Sequence, residues 1–187
     1  MAVKIRGSIL LARKAFVVEN FGEEAWTQVI NTLPSDYKQT LMGLMIHVGW
    51  YPFEICRELD KAIVDILGKG DLSVFESIGA QSARENLSHA QQAFLKPGNP
   101  EAFLKQAEMI YKFYYDVGKR DYTPISRNSG LLTTYDAETY SSVDCMTVIG
   151  WYKEALKLCG AKSVEIVETQ CRARGDKVCQ YKVTWEE

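Results

Sequence analysis

Apolar residues recur at helical spacing through most of the first 117 positions and alternate at strand spacing only after them. Ile9, Leu10, Ala12, Phe16 and Val17 predict a helix over about Arg6 to Asn20, stopped by Gly22. Glu23 and Glu24 place acids in the first turn of a second helix that carries Trp26, Val29 and Ile30 and ends before Pro34. Ser35-Asp36 opens a third, with Leu41, Leu44 and Met45. Gly49 to Pro52 breaks the pattern. Pro52 then starts a fourth helix, to about Leu67, with Ile55, Leu59, Ile63 and Ile66 on one stripe. Asp71 caps a fifth around Val74, Phe75 and Ile78. Pro100 begins a sixth through Phe103, Ala107, Ile110, Tyr111 and Tyr114.

The period changes near Gly118. Asp121–Ser126 and Gly130–Tyr135 read as strands about an Asn128-Ser129-Gly130 turn. A long helix is expected from about Glu138 to Leu158, ended by Gly160, and then strands Ser163–Cys171 and Val178–Trp185. The predicted fold class is α+β: a helical layer packed on a twisted antiparallel sheet of about four strands. Residues 1–187 are expected to form a single domain, with 1–117 mostly helical and 118–187 in the order hairpin, long helix, hairpin.

The last hairpin carries the most specific chemistry. With Gly175 at the centre of its turn, Cys171 faces Cys179, Thr169 faces Tyr181, Val167 faces Val183 and Glu165 faces Trp185, all on one inward face. Cysteines opposed on neighbouring strands have Cβ atoms roughly 4.5–5.5 Å apart. That spacing suits two ligands of a tetrahedral metal, two thiols packed as small hydrophobes, or a strained cross-strand disulfide.

Composition narrows the class. Twenty-two basic against twenty-four acidic residues leave a net charge of -2, which argues against a general nucleic-acid binder. No apolar run approaches a bilayer span, and Arg13-Lys14 interrupt the only stretch resembling a leader, so a cytoplasmic protein is expected. Five cysteines in a reducing compartment do not make a disulfide framework. No phosphate-binding Gly loop, dinucleotide fingerprint, nucleophile elbow or His-Glu-x-x-His motif is present, so no catalytic residue is assigned. Tyr111, Phe113, Tyr114 and Tyr115 cover more of a helix than a core stripe. A packed core helix is the ordinary reading of such a run, and an apolar pocket or a subunit interface are the functional ones.

Cys145-Met-Thr-Val-Ile-Gly150-Trp151, Gly160, and Glu168-Thr-Gln-Cys171-Arg-Ala-Arg-Gly175-Asp-Lys-Val-Cys179-Gln-Tyr181 resemble the C-terminal half of 4-vinyl-reductase-type small-molecule-binding domains. They also resemble the aromatic-effector sensor domains of certain transcription activators. In those sensors the matching positions hold a structural zinc, so the resemblance implies Cys145, Cys171 and Cys179 as metal ligands. The usual acidic fourth ligand falls by direct offset on Tyr122, with Asp121, Asp136 and Glu138 as the nearby acids. Arg6-Gly7 and Phe21-Gly22-Glu23-Glu24-Ala25-Trp26 bear a weaker likeness to haem–nitric-oxide-binding domains. The whole order of elements resembles the superfamily joining these groups with Golgi transport-particle subunits. Haem is not expected: only His47 and His89 offer an imidazole, and Tyr122-Thr-Pro-Ile-Ser126-Arg127 has the wrong spacing for the propionate-gripping motif.

The resemblance implies a non-catalytic small-molecule-binding sensor or regulatory module that signals through a protein partner and forms a homodimer. Its ligand would be a small apolar or aromatic molecule or a lipid, lined by Tyr111, Tyr114, Tyr115 and Trp151. The alternative it implies is a scaffold subunit without a soluble effector; an enzyme of the vinyl-reductase kind is not supported by any visible redox-cofactor site.

Overall fold

The computed structural model of the chain describes residues 3–89 and 91–187. Strand β1 (Lys4–Arg6) runs straight into α1 (Gly7–Phe21), followed by α2 (Glu23–Asn31) and α3 (Ser35–Met42). Strand β2 (Trp50–Pro52) returns to pair antiparallel with β1, placing Ile5 opposite Tyr51. Next come α4 (Phe53–Ile63), a π-helical stretch Val64–Gly68, α5 (Val74–Ser88), α6 (Pro100–Leu104) and α7 (Ala107–Tyr114). The second half is β3 (Lys119–Ser126), β4 (Ser129–Tyr135), α8 (Ser142–Leu158), β5 (Ser163–Gln170) and β6 (Cys179–Glu186). The four long strands form one antiparallel sheet in the order β3-β4-β6-β5. The α+β class and the four-stranded sheet are as the periodicity predicts.

The apolar spacing accounts for most of these elements. Ile9, Leu10, Phe16 and Val17 bury one face of α1; Phe53, Ile55, Leu59 and Ile63 do the same for α4. Helix α8 is held at its start by Ser141, whose hydroxyl accepts the Asp144 N–H at 3.0 Å. It lies between α5 and the sheet. Two glycines set how closely it approaches α5. A Cβ on Gly79 would stand 2.1 Å from the Thr147 carbonyl oxygen, and one on Gly150 would stand 1.9 Å from that of Glu76. The two helices therefore meet backbone to backbone, which any side chain at either position would prevent.

Several predicted boundaries move. The third helix stops at Met42, leaving Leu44 93% exposed while Met45 is buried. The helix expected from Pro100 is two, broken between Leu104 and Ala107. The long helix begins at Ser142 rather than Glu138. The β1–β2 pair was not expected, because three residues are too few to carry an alternating pattern. The C-terminal hairpin is out of its predicted register by one: Val164 pairs Trp185, Ile166 pairs Val183 and Glu168 pairs Tyr181. Ile166 is thus buried and Val167 is 49% exposed. An irregularity between Glu168 and Gln170, followed by a 3-10 turn over Arg172–Arg174, absorbs the extra residue. Among the described residues no helix is long and apolar enough to cross a membrane.

Candidate functional site

Buried charge marks the centre of the molecule. Arg13 projects from the apolar face of α1 and is 1% exposed. Its Nε and Nη2 donate to Asp60 Oδ1 at 2.9 Å and Oδ2 at 3.1 Å, a two-pronged pair between α1 and α4. Nη1 reaches the Ile9 carbonyl at 3.3 Å, and Nη2 reaches Thr147 Oγ1 of α8 at 3.4 Å. The Cys56 thiol donates to Asp60 Oδ2 at 3.6 Å. Burial pushes that thiol well above its ordinary range against the pull of Arg13, so Cys56 stays protonated.

Beside this pair lies a partly open cavity of about 50 Å³ between α1, α5, α7, α8 and the start of β3. Its wall is mostly apolar and aromatic: Ile9, Ile110, Val148, Tyr111, Tyr114, Tyr115, Trp151 and Tyr152. All four residues singled out as ligand-lining in the sequence therefore meet at one space. Tyr111 and Tyr115 stack at 4.7 Å, and Trp151 packs edge-on to Tyr114 at 5.8 Å and Tyr152 at 5.1 Å. The Tyr111 hydroxyl donates to the Val117 carbonyl at 2.8 Å, and that of Tyr114 to Gln91 Oε1 at 2.6 Å. Burial pushes the Tyr111 phenol up to about 12 and raises Tyr114, Tyr115 and Tyr152 as well. Trp151 Nε1 and the Tyr152 hydroxyl are buried without a hydrogen-bond partner among the described residues.

Arg120 and Asp144 also face this cavity. Arg120, 5% exposed, donates from Nε to Thr134 Oγ1 at 2.8 Å. Its guanidinium stands over the rings of Tyr111, Tyr152 and Tyr181, at 5.2, 5.5 and 5.8 Å. Asp144 accepts the Tyr115 hydroxyl at 3.2 and 3.3 Å. Burial pushes its carboxyl up to about 6, opposed by the charges of Arg13 and Arg120. Sequence reading missed Arg13, Asp60, Arg120 and Asp144. The one available signal was Arg13, a charge on the buried face of a helix.

Behind the cavity the three predicted cysteines do converge. Cys145 Sγ lies 3.6 Å from Cys171 Sγ and 3.8 Å from Cys179 Sγ, all three buried. Their sulfurs lie within 4.8 Å of one another, a spacing that a metal ion could bridge. Asp176 fixes the turn by accepting the Cys171 N–H at 2.7 Å. Cys179 accepts from the Cys145 thiol and from the Arg172 N–H at 3.4 Å, which draws its pKa down to about 6 and raises that of Cys145. The expected fourth-ligand position, Tyr122, sits at Gly130 on the β3–β4 pair and does not join them.

Helices packed on a four-stranded sheet thus surround a small, mostly apolar cavity. No family model matches the chain, and no curated protein matches it. Solved structures do. An H-NOX protein from Shewanella oneidensis in the Fe(II)NO state superposes with a TM-score of 0.75 at 13% identity, covering 97% of this chain and 99% of that one. The unliganded Fe(II) H-NOX protein from K. algicida gives 0.72 at 14% identity, covering 97% of each. The NMR structure of the Shewanella domain in its Fe(II)CO state gives 0.71 at 14%, covering 97% and 99%. The chain has the fold of H-NOX domains.

This corrects the sequence expectation on cofactors, which put zinc forward and set haem aside. The similar structures are described by iron ligation and haem distortion, and nothing in the comparisons supports zinc. These solved structures are H-NOX proteins, to which the motifs bear the weaker likeness. The cavity of this chain then tests whether its own residues fit haem. None of its lining residues is a histidine. His47 is bonded through Nε2 to Asn86 Oδ1 at 2.9 Å, in an open groove on the other side of α1, and His89 is exposed at the end of α5. An apolar cavity of about 150 Å³ is what admits benzene; a porphyrin is several times larger, and Arg120 and the stacked tyrosines occupy the space between α7 and α8. The residues present do not fit the group as they stand, so no step is derived through it.

Proposed function

We propose that the chain is a non-catalytic sensor module that takes a small molecule into the cavity beside Arg13–Asp60 and passes its occupancy to a partner protein. The observation that carries this is the cavity itself: walled by aromatic side chains, and bordered by Trp151 Nε1 and the Tyr152 hydroxyl, both buried and without a well-formed hydrogen bond among the described residues. A purely structural core fills such space and satisfies such groups. Tyr111, Tyr114, Tyr115 and Trp151 are the ligand-lining residues in this reading. The H-NOX fold supports it, since the solved examples are described by the small molecule they ligate, NO or CO. At about 50 Å³ the space suits a molecule smaller than benzene rather than the aromatic effector or lipid of the vinyl-reductase likeness.

The test is two-dimensional NMR of the intact chain with a panel of small acids, amides and alcohols. Saturable shifts centred on α7 and α8, abolished by Ser82→Leu at the cavity wall, are expected. A panel that leaves those resonances unmoved would overturn the reading.

A further inference from the structure

We propose that the ligand of this cavity is a small monocarboxylate, received through its carboxylate by Arg120 and the Tyr152 hydroxyl. The inference rests on the reading of the cavity as the binding site.

The two buried guanidiniums at the cavity are not alike. Arg13 is matched oxygen for nitrogen by Asp60 at 2.9 and 3.1 Å. Arg120 is also buried, yet among the described residues only neutral oxygens face it: the Thr134 hydroxyl, which accepts from Nε at 2.8 Å, and the Tyr152 hydroxyl beside its guanidinium. No carboxylate of the described residues lies within 4.0 Å of it. Asp144, the acid on the cavity wall, accepts the Tyr115 hydroxyl. Rings over its faces attract a cation but accept none of the remaining in-plane N–H groups. Leaving a buried guanidinium so under-bonded is costly, and an anion with two oxygens is the partner its fork is shaped for.

A second, independent observation points the same way. Tyr152 is 1% exposed, and its hydroxyl sits beside the Arg120 guanidinium, whose charge and hydrogen bonding oppose the rise that burial imposes on its pKa, while no acceptor among the described residues takes the hydroxyl proton. That supplies a neutral O–H donor beside the charged one. With Asp144 already accepting from Tyr115, the groups left unengaged at this corner are donors. The rest of the wall, Ile9, Ile110 and Val148, is apolar and suits an alkyl tail. The volume sets the length: about 50 Å³ holds roughly three to five waters, hence an acid of about two to four carbons.

The experiment is calorimetric titration of the intact chain at neutral pH with sodium propionate, with the isosteric neutral propionamide, and with benzoate as the oversized acid. Propionate is expected to bind about 10- to 100-fold more tightly than propionamide, the margin of a charge-assisted pair over a neutral one. Benzoate is expected to be excluded. Arg120→Gln should abolish the preference for the acid while leaving amide binding in place. Equal affinity for acid and amide would overturn the carboxylate proposal and leave the cavity reading standing. Absence of binding by either would overturn both. Should Arg120→Gln fail to fold, the acid-to-amide ratio on the unaltered chain decides the matter alone.

Discussion

Removing Asp60 is the sharpest test of how this interior is held. Asp60→Ala strips Arg13 of both carboxylate oxygens and leaves it the Ile9 carbonyl at 3.3 Å and Thr147 Oγ1 at 3.4 Å, with 1% of its surface exposed. Two unit charges about 3 Å apart attract by roughly 5 kcal/mol at an effective dielectric near 20. Breaking a buried pair from one side costs about 3–5 kcal/mol, because the surviving charge cannot return to water. Domains have about 5–15 kcal/mol in total, so the variant loses a large share of its stability. With a urea slope of about 2 kcal/mol per molar, the unfolding midpoint should fall by roughly 2 M. Circular dichroism against urea measures it. The double variant Arg13→Met with Asp60→Leu removes both charges and should return most of the loss. Raising salt should rescue the single variant little, since the site is shielded from the ionic atmosphere. A midpoint shift below about 0.5 M in Asp60→Ala, against the expected loss, would refute the argument that this pair is buried and mutually dependent.

Other outcomes follow from features already described. The phenols of Tyr111, Tyr114, Tyr115 and Tyr152 are all raised by burial. The unfolded chain therefore releases these protons first, near pH 10, and stability falls as pH rises past that point by up to about 1.4 kcal/mol per phenol per unit. Tyrosinate absorbance should rise together with loss of circular dichroism; ionisation of these four near pH 10 in a still-folded protein would contradict their burial. Gly79→Ala and Gly150→Ala should each cost about 2 kcal/mol or more by prising α5 from α8, visible as a drop of several degrees in Tm. All five cysteines are buried, so a disulfide reagent should titrate none of them quickly in the native protein and all of them in denaturant. A fast-reacting thiol would show that the Cys145–Cys171–Cys179 corner opens readily.

Local signals carried the helices and the sheet class, and pairings distant in sequence carried what was missed. Ile9, Phe16 and Val17 repeat at helical spacing and are buried, so α1 is readable from fifteen residues alone. Nothing near Arg13 announces Asp60, which is 47 positions away, and nothing near Arg120 distinguishes it from a solvated arginine on a strand. The hairpin register failed for a definite reason. Val167 and Ile166 are equally suited to an interior, and only the irregularity after Glu168 decides between them. The cysteines were recovered despite that slip because Cys171 lies beyond the irregularity, at the turn, where it meets Cys145 under either pairing. Resemblance at motif level pointed toward the vinyl-reductase group because the C-terminal cysteines dominate it. Superposition weighs all elements alike, and by it the chain matches H-NOX structures over 97% of its length.

The absent side chains at Gly79 and Gly150 have a mechanical corollary. With main chains in direct apposition, there is no cushion of flexible methylenes between α5 and α8 to absorb a displacement. The wall of the cavity that α8 supplies through Thr147, Val148 and Trp151 is thereby yoked to a second rod, which ends at the surface beside His89. A push delivered from inside would travel outward along both shafts as one rigid lever.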